Sequence, residues 1–142
     1  MLQDAIFARD SFLKKAGNED VAVKFLKASL KGWAYCRDNS QKCVDIVLKN
    51  GSTLGASHQA WQMNEINALI WPSPNGVGTL DKAAWDQTTA IATKYKVLKA
   101  QPTEGAFRTD LNQKALEMLG SDSDTKGASW VKTTVQLKEG GN

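Results

Sequence analysis

Helical periodicity with start and stop signals constrains the fold of this chain more than any other feature of its sequence. Between Asp10 and Gly120, apolar residues recur every three to four positions, which is typical of helices with one buried face. Asp81 and Thr109 precede two of these stretches as N-caps, and Gly17 and Gly120 follow others as helix stops. The pattern predicts a mainly helical fold with five or six helices.

The same signals place the individual helices. The first is short and follows Asp10, and the second follows Asn18 for about 18 to 20 residues, with Val21 and Phe25 on its predicted buried face. The other four are predicted over residues 40–50, capped by Ser40, and over residues 54–70, 81–95 and 109–119.

The pattern changes near the end of the chain. Apolar and polar residues alternate over 131–138, which predicts a strand or an extended tail, and residues 5–8 are a second candidate strand. A lone strand leaves its backbone groups unpaired, so it needs a partner. The sequence therefore predicts a helical domain over residues 1–120 and an extended C-terminal tail or strand over residues 121–142.

Size and charge narrow the class of protein. With 142 residues and a mass of 15.5 kDa, the chain has the size of a single domain. Its basic residues are mostly lysines spread along the chain, which favours solvating charge over a nucleic-acid groove. No apolar run is long enough to span a membrane. The N-terminus lacks a signal-peptide pattern, which leaves a cytoplasmic chain, a processed chain or a piece of a longer one.

Residues 50–80 form an unusual window because Glu65 is its only charged side chain. A segment of this kind is typically buried or covered by another domain or subunit. Glu65 either pairs with a lysine or caps a backbone group in a core helix, or it lies in a ligand cleft. His58, Trp61 and Glu65 share a helix face. His58 and Glu65, however, lie ~10 Å apart, too far to chelate one metal ion or to act on one atom.

Catalytic chemistry finds little support in the sequence. His58 is the only histidine, no nucleophile-elbow motif occurs, and the spacing of His58 and the two cysteines matches no zinc pattern. The loop over residues 72–78 lacks the glycine and lysine spacing of a phosphate-binding loop. Trp71 beside it either stacks on a planar ligand or fills the core at a helix end. We therefore expect no enzyme activity, no metal and no cofactor.

Cys36 and Cys43 bracket the turn that is predicted between the second and third helices. With one in a last turn and the other in a first turn, they can form a disulfide. Alternatively, both are small core side chains in a reducing compartment. The residues alone leave both interpretations open.

Three runs of the chain resemble one family of transport proteins. The runs are residues 4–8 with Phe12, Leu13 and residues 23–36; residues 61–74 with Gly78, Leu80, Asp81 and Trp85; and residues 109–111. They are similar to the carboxy-terminal part of periplasmic solute-binding proteins of the nitrate/sulfonate/taurine and thiamine-pyrimidine-precursor group. The similarity covers roughly residues 3 to 135.

The resemblance implies both a fold and a function. The family is a two-lobed α/β clamp that closes on a small solute and delivers it to an ABC permease. This chain would be the helical, bundle-like C-terminal portion of that type II periplasmic-binding-protein fold, with one or two short strands at its ends. Most strands and much of the cleft would belong to an amino-terminal portion.

The resemblance also implies a cellular compartment. It implies export to the periplasm or another extracytoplasmic compartment, and with it a disulfide between Cys36 and Cys43. Asn64, Glu65 and Trp71, from the charge-poor window, are the candidate ligand-binding residues.

Three classes of function follow. The first is part of an ABC-transporter solute-binding protein, the second is a helical interaction module, and the third is an enzyme such as a pyrimidine-forming relative. We also expect a homo-oligomer, because part of a clamp exposes surface that its missing strands would cover. Candidate surfaces are residues 50–80, with Trp61 and Trp71, and the alternating segment over residues 131–137.

Overall fold

The computed structural model describes residues 5–51, 53–103 and 105–142, and the chain is mainly helical in these ranges. Their helices are α1 (Asp10–Leu13), α2 (Asn18–Asp38), α3 (Ser40–Asn50), α4 (Ala56–Ile70), α5 (Lys82–Lys94) and α6 (Asp110–Leu119), followed by 3₁₀ turns at Gly120–Asp122 and Glu139–Gly141. No described residue belongs to a strand or a sheet. The mainly helical prediction is confirmed. Asp4, from the first of the resembling runs, lies outside the described residues.

Of two helix N-caps predicted from the sequence, one is confirmed and one is wrong. Asp81 caps α5 as predicted, because its Oδ1 accepts hydrogen bonds from the backbone N–H groups of Ala83 at 2.8 Å and Ala84 at 3.1 Å. The prediction that Ser40 caps α3 is wrong. Ser40 is the first residue of α3, and its hydroxyl donates to the carbonyl of Cys36 at 3.1 Å. It therefore binds the end of α2 instead of the start of α3.

The buried face of α2 differs from the predicted one. Val21 is 52% exposed and Phe25 is 59% exposed, so the predicted face is open over these turns. The buried side chains are Val23, Leu30, Ala34 and Arg37. Val23 is two residues out of phase with Val21 and Phe25, which is about 200° around a helix. Both faces of α2 carry apolar residues, so periodicity alone does not identify the buried one.

Neither of the candidate strands at the two ends of the chain forms, and the C-terminal segment takes the other predicted form, a tail. Residues 5–8 and 131–137 have no regular secondary structure. In the C-terminal segment, Thr133 uses its backbone N–H and carbonyl groups to bind the side chain of Asn64 instead of a neighbouring strand. The segment is therefore a tail that lies outside any sheet.

The chain divides into two compact units, each built from two separate stretches. The first unit consists of the described residues of Met1–Ala28 and Leu80–Met118. The second consists of those of Ser29–Thr79 and Leu119–Asn142. The predicted boundary between a helical domain over 1–120 and a tail over 121–142 stays a prediction.

The first unit buries few side chains. Its buried residues are Val23, Leu111 and Ala115, together with the polar Thr89 and Asn112. The rings of Trp85 and Phe107 add an edge-to-face contact with centroids 5.0 Å apart. Its apolar core is therefore small.

An ion cluster around Arg108 ties two parts of the first unit together. Arg108 donates to both carboxylate oxygens of Asp110 at 2.6 Å and to Glu19 at 3.0 Å. These hydrogen bonds favour the charged carboxylate, so Arg108 lowers the pKa of Asp110 to about 2. The cluster joins the start of α6 to the first turn of α2.

The second unit holds the larger core, and it buries polar side chains as well. Helices α3 and α4 pack against each other in it. Its buried apolar residues are Leu30, Ala34, Cys43, Val44, Trp71, Val77 and Leu119, and its buried polar side chains are Arg37, Asn64 and Asn67. Buried polar groups need hydrogen-bond partners, and the partners of these three side chains are described below. Within the part of the chain that the structure describes, no helix has both the length and the apolarity to cross a membrane.

Candidate functional site

Helix α4 and the loop that follows it bind the end of the chain. We call residues 123–141 the C-terminal arm; they belong to the same unit as α4. The start of the arm contacts the loop after α4, its middle contacts Asn64, and Lys138 near its end donates a backbone hydrogen bond to Ser57 in the first turn of α4. The arm therefore runs antiparallel to α4.

Trp71, one of the predicted ligand residues, is buried at the end of α4. Its side chain is only 3% exposed, and its indole Nε1–H donates to the Oδ1 of Asn67 at 3.2 Å. The guanidinium carbon of Arg37 lies 4.6 Å from the centroid of the indole ring. This cation–π contact covers the ring with the chain's own arginine. The expectation that Trp71 contributes to an exposed association surface is therefore wrong.

Arg37 connects this tryptophan to the arm. It makes two hydrogen bonds to the carboxylate of Asp38 and donates from Nη1 to the carbonyl of Asp124 at 2.8 Å. The same nitrogen lies 3.4 Å from the Asp124 carboxylate. The backbone N–H groups of Gly127 and Lys126 bind that carboxylate and lower the pKa of Asp124.

Gly127 fits against Trp71 because it has no side chain. It is buried and has φ +57°, and a Cβ there would lie 2.6 Å from the Trp71 ring and 2.8 Å from the Arg37 guanidinium. Glycine is the residue that adopts this backbone conformation most readily. The start of the arm is thus shaped to fit Trp71 and Arg37.

The loop after α4 binds the arm through backbone groups. The N–H of Ser73 donates to the carbonyl of Lys126 at 2.8 Å, and the N–H of Val77 donates to the carbonyl of Thr125 at 2.9 Å. Both bonds join segments that lie far apart in the sequence. The loop that we considered as a ligand cradle therefore binds the chain itself.

Asn64, the second predicted ligand residue, holds the middle of the arm. Its Nδ2 donates to the carbonyl of Thr133 at 2.8 Å, and its Oδ1 accepts from the Thr133 N–H at 3.2 Å and from its hydroxyl at 3.0 Å. Asn64 is 8% exposed. One amide side chain thus binds both backbone groups of one residue, as a neighbouring strand would.

Glu65, the third predicted ligand residue, forms an ion pair with Lys132 of the arm. Its side chain is 34% exposed, and that of Lys132 is 46% exposed. The pairing with a lysine is one of the two interpretations that the sequence left open for Glu65. A role for Asn64, Glu65 or Trp71 in ligand binding stays a prediction.

The two cysteines lie where α2 meets α3. Cys36 is in the last turn of α2 and Cys43 is in the first turn of α3, with their Cα atoms 5.6 Å apart and their sulfur atoms bonded. The disulfide joins two helices across Asn39, which is the single residue between them. It therefore fixes the corner from which Arg37 reaches Trp71.

A cavity of about 570 Å³ opens beside the first turn of α4. One side of it is formed by residues 53–55 with His58 and Gln59, and the other side by residues 137–141 of the arm. It offers an imidazole, a side-chain amide and backbone groups, which are suited to hydrogen bonds with a small polar molecule. The arm supplies half of its wall.

His58 lines this cavity, whereas Asn64, Glu65 and Trp71 do not. Its ring stacks at a tilt on Trp61, with the centroids 5.8 Å apart. Glu65, two turns further along α4, pairs with Lys132 instead. In the described ranges, no group of three or more His, Cys, Asp or Glu side chains is arranged to hold a metal ion.

Sequence reasoning missed the residues that bind the arm. The sequence assigned no role to Arg37, and Thr133 was placed in a segment predicted to be a strand or an extended tail. A signal was present in α4, where Ser57, Asn64 and Asn67 are polar residues at helical spacing within a segment that avoids charge. Such a row of small polar side chains predicts a helix that hydrogen-bonds to something along its length.

The comparisons with known proteins leave the relationship of this chain to any family open. No protein-family model, no curated protein and no solved structure matches it.

Proposed function

We propose that this chain is the carboxy-terminal part of an ABC-transporter solute-binding protein, of the group that binds nitrate, sulfonates, taurine or thiamine-pyrimidine precursors. It would bind a small solute for uptake without catalysis, outside the cytoplasm, and pass it to a permease. The proposal rests on the resembling runs of the sequence and on one structural observation, the exposed apolar side chains of the first unit.

Those side chains are large and open to solvent. Phe7 is 92% exposed, Val97 is 78% exposed and Tyr95 is 70% exposed. Val21, on the face of α2 that was predicted to be buried, is 52% exposed. Exposed apolar surface of this kind is commonly covered by a partner in the working molecule. In a solute-binding protein, the remainder of the same lobe is the natural cover.

The disulfide between Cys36 and Cys43 supports a location outside the cytoplasm. Disulfides persist in oxidising environments such as the periplasm and are rare in the cytosol. Binding proteins that serve uptake permeases work on that outer side of the membrane. The structural observation and the resemblance therefore favour the same location.

The first experiment reads the genomic sequence upstream of the codon for Met1. We expect an in-frame continuation that encodes a signal peptide and an α/β lobe. The whole product is then purified and titrated calorimetrically with taurine, nitrate and a pyrimidine precursor, and we expect one of them to bind with one-to-one stoichiometry. A stop codon directly upstream in the same frame, together with no binding by the product, would contradict the proposal.

The whole product also tests the candidate ligand residues. Glu65→Gln removes a carboxylate, and Leu69→Ala changes a side chain of the same helix that is 68% exposed. If Glu65 binds the solute, we expect the first variant to lose ~10-fold or more in affinity, about 1.4 kcal/mol, and the second to bind normally. Equal affinities would restrict Glu65 to its pairing with Lys132.

The second candidate function, a helical module for self-association or interaction, is favoured by the same exposed side chains. In this second function, another copy of the chain or another protein covers the exposed side chains, instead of the remainder of the same lobe. The upstream reading frame separates the two, and light-scattering mass over a dilution series of the 142-residue chain shows whether another copy covers these side chains. A stop codon directly upstream in the same frame, together with a stable oligomer of the chain, would favour the interaction module.

A further inference from the structure

We propose that the C-terminal arm is exchangeable between copies of this chain. In a dimer, the arm of one copy binds α4 and the 71–78 loop of the other copy, and the second arm does the same in return. The groove that α4 and the 71–78 loop form in one copy thus holds the arm of the other copy in place of its own. The inference does not depend on the proposed function.

The first support is that the arm binds the rest of its unit as a peptide binds a groove. Its contacts follow the order of the groove from one end to the other: Asp124 to Arg37, Gly127 to Trp71, Lys132 to Glu65, Thr133 to Asn64 and Lys138 to Ser57. Most of these partners lie more than 60 positions apart in the sequence. An arm from a second copy presents the same atoms to the same groove, so it makes the same bonds.

The second support is that little apolar surface holds the arm in place. Gly127 is the arm's buried residue in the described ranges, and it has no side chain. Val131 is 75% exposed and Leu137 is 53% exposed. The arm is held by hydrogen bonds, by two ion pairs and by the half-buried side chains of Trp130 and Val135, and segments with few buried apolar contacts open at a lower free energy than the core. The arm can therefore leave its groove while the rest of its unit stays folded.

The third support is the connection between α6 and the arm. The 3₁₀ turn Gly120–Asp122 is exposed, and Gly120 has φ +52° with no neighbouring atom within 4 Å of where a Cβ would be. The turn is short and the space beside this glycine is open, so a change of chain direction there meets no neighbouring atom at the Cβ position. This turn would be the hinge at which the arm separates from its own groove.

Exchange would also make the cavity at α4 a shared site. Residues 53–55, His58 and Gln59 would come from one copy, and residues 137–141 from the other. Each copy would then complete the cavity of its partner.

The test uses the full chain in its native form and the ion pair that the arm already makes. Equal amounts of unlabelled and ¹⁵N-labelled chain are mixed, concentrated and incubated, and the monomer and dimer fractions are separated. A carbodiimide then joins the ammonium of Lys132 to the carboxylate of Glu65 as an amide, with loss of water. Mass spectrometry of the linked peptides reports whether the two residues came from one isotope or from both.

We expect the dimer fraction to contain Glu65–Lys132 links of mixed isotope, at about half of all such links. The monomer fraction should contain links of a single isotope. The pair of Lys82 and Asp86, 2.6 Å apart within α5, is the internal control and should give single-isotope links in both fractions.

Two outcomes would overturn the proposal. One is a dimer whose Glu65–Lys132 links are all of a single isotope, because the copies then associate through another surface. The other is the absence of any dimer over the whole concentration range. A further variant, Asn64→Ala, removes a contact that holds the arm, and we expect mixed links to appear several times faster with it than with Leu69→Ala.

Discussion

The side-chain amide of Asn64 binds both backbone groups of Thr133, donating to its carbonyl at 2.8 Å and accepting from its N–H at 3.2 Å. A helix side chain thereby gives the arm what a neighbouring strand would give it. This explains how an alternating segment with strand-like composition remains outside any sheet. It also makes Asn64 one of the residues that hold the arm in position.

The first prediction concerns this amide. Asn64→Ala removes all three hydrogen bonds to Thr133 and leaves its backbone groups without their partner, which we expect to cost ~1–3 kcal/mol. Amide hydrogen exchange over residues 131–138 should become faster, while exchange in α5 stays unchanged. Leu69→Ala, at an exposed position of the same helix, is the control and should cost less than ~0.5 kcal/mol. Equal protection of the arm in both variants would show that Asn64 does not hold it.

The second prediction concerns Gly127. Gly127→Ala places a Cβ against the Trp71 ring and the Arg37 guanidinium, at a backbone φ of +57° that side chains rarely adopt. We expect a loss of ~2 kcal/mol or more in unfolding free energy, measured by urea denaturation followed by tryptophan fluorescence. Gly120→Ala has a similar φ of +52° but open space around it, so it should lose only ~1 kcal/mol. Equal losses in the two variants would mean that the contact with Trp71 contributes nothing.

The third prediction concerns the disulfide. Non-reduced chain made in an oxidising compartment should have a mass two hydrogen atoms below that of the reduced chain and should resist alkylation. The sequence separation of Cys36 and Cys43 is 7, and so short a loop should contribute ~2 kcal/mol. Replacing both cysteines by serine should lower the unfolding free energy by about this amount. Two thiols that alkylate freely in the folded chain would contradict the disulfide.

The fourth prediction concerns pH. Arg108 lowers the pKa of Asp110 to about 2 in the folded chain, below the ~3.9 of an unperturbed aspartate. The stabilisation from this pair is therefore complete above pH ~4 and is lost as the pH falls toward 2. Both side chains are more than one third exposed, so salt should weaken the effect.

A carboxyl NMR titration measures this shift directly. In Arg108→Gln, the pKa of Asp110 should rise toward ~3.9, because the charged donor is gone. Lys82→Gln removes a lysine from a separate ion pair, with Asp86, and should leave the titration of Asp110 unchanged. An ordinary pKa for Asp110 in the native chain would rule out the cluster in solution.

The candidate site could be predicted from the sequence only in part. The charge-poor window pointed to α4, which contacts α3 and the arm, and pairing of Glu65 with a lysine was one of the expected arrangements. The sequence could not identify that lysine, because Glu65 and Lys132 are 67 positions apart. Nothing local to Arg37 indicated that its guanidinium would lie over Trp71.

The sequence by itself determined that the described ranges are mainly helical and, to within a few residues, where the longer helices lie. Asp81 caps α5 through bonds to the next two or three residues, and helical hydrogen bonds reach only four residues along the chain, so a local pattern carries the information. Only the tertiary structure decided which face of α2 is buried and where the arm lies. Both faces of α2 are apolar near Val21 and Val23, and Thr133 meets Asn64 across 69 positions. Burial and pairing of this kind depend on which distant surfaces come together, and that is a property of the folded chain as a whole.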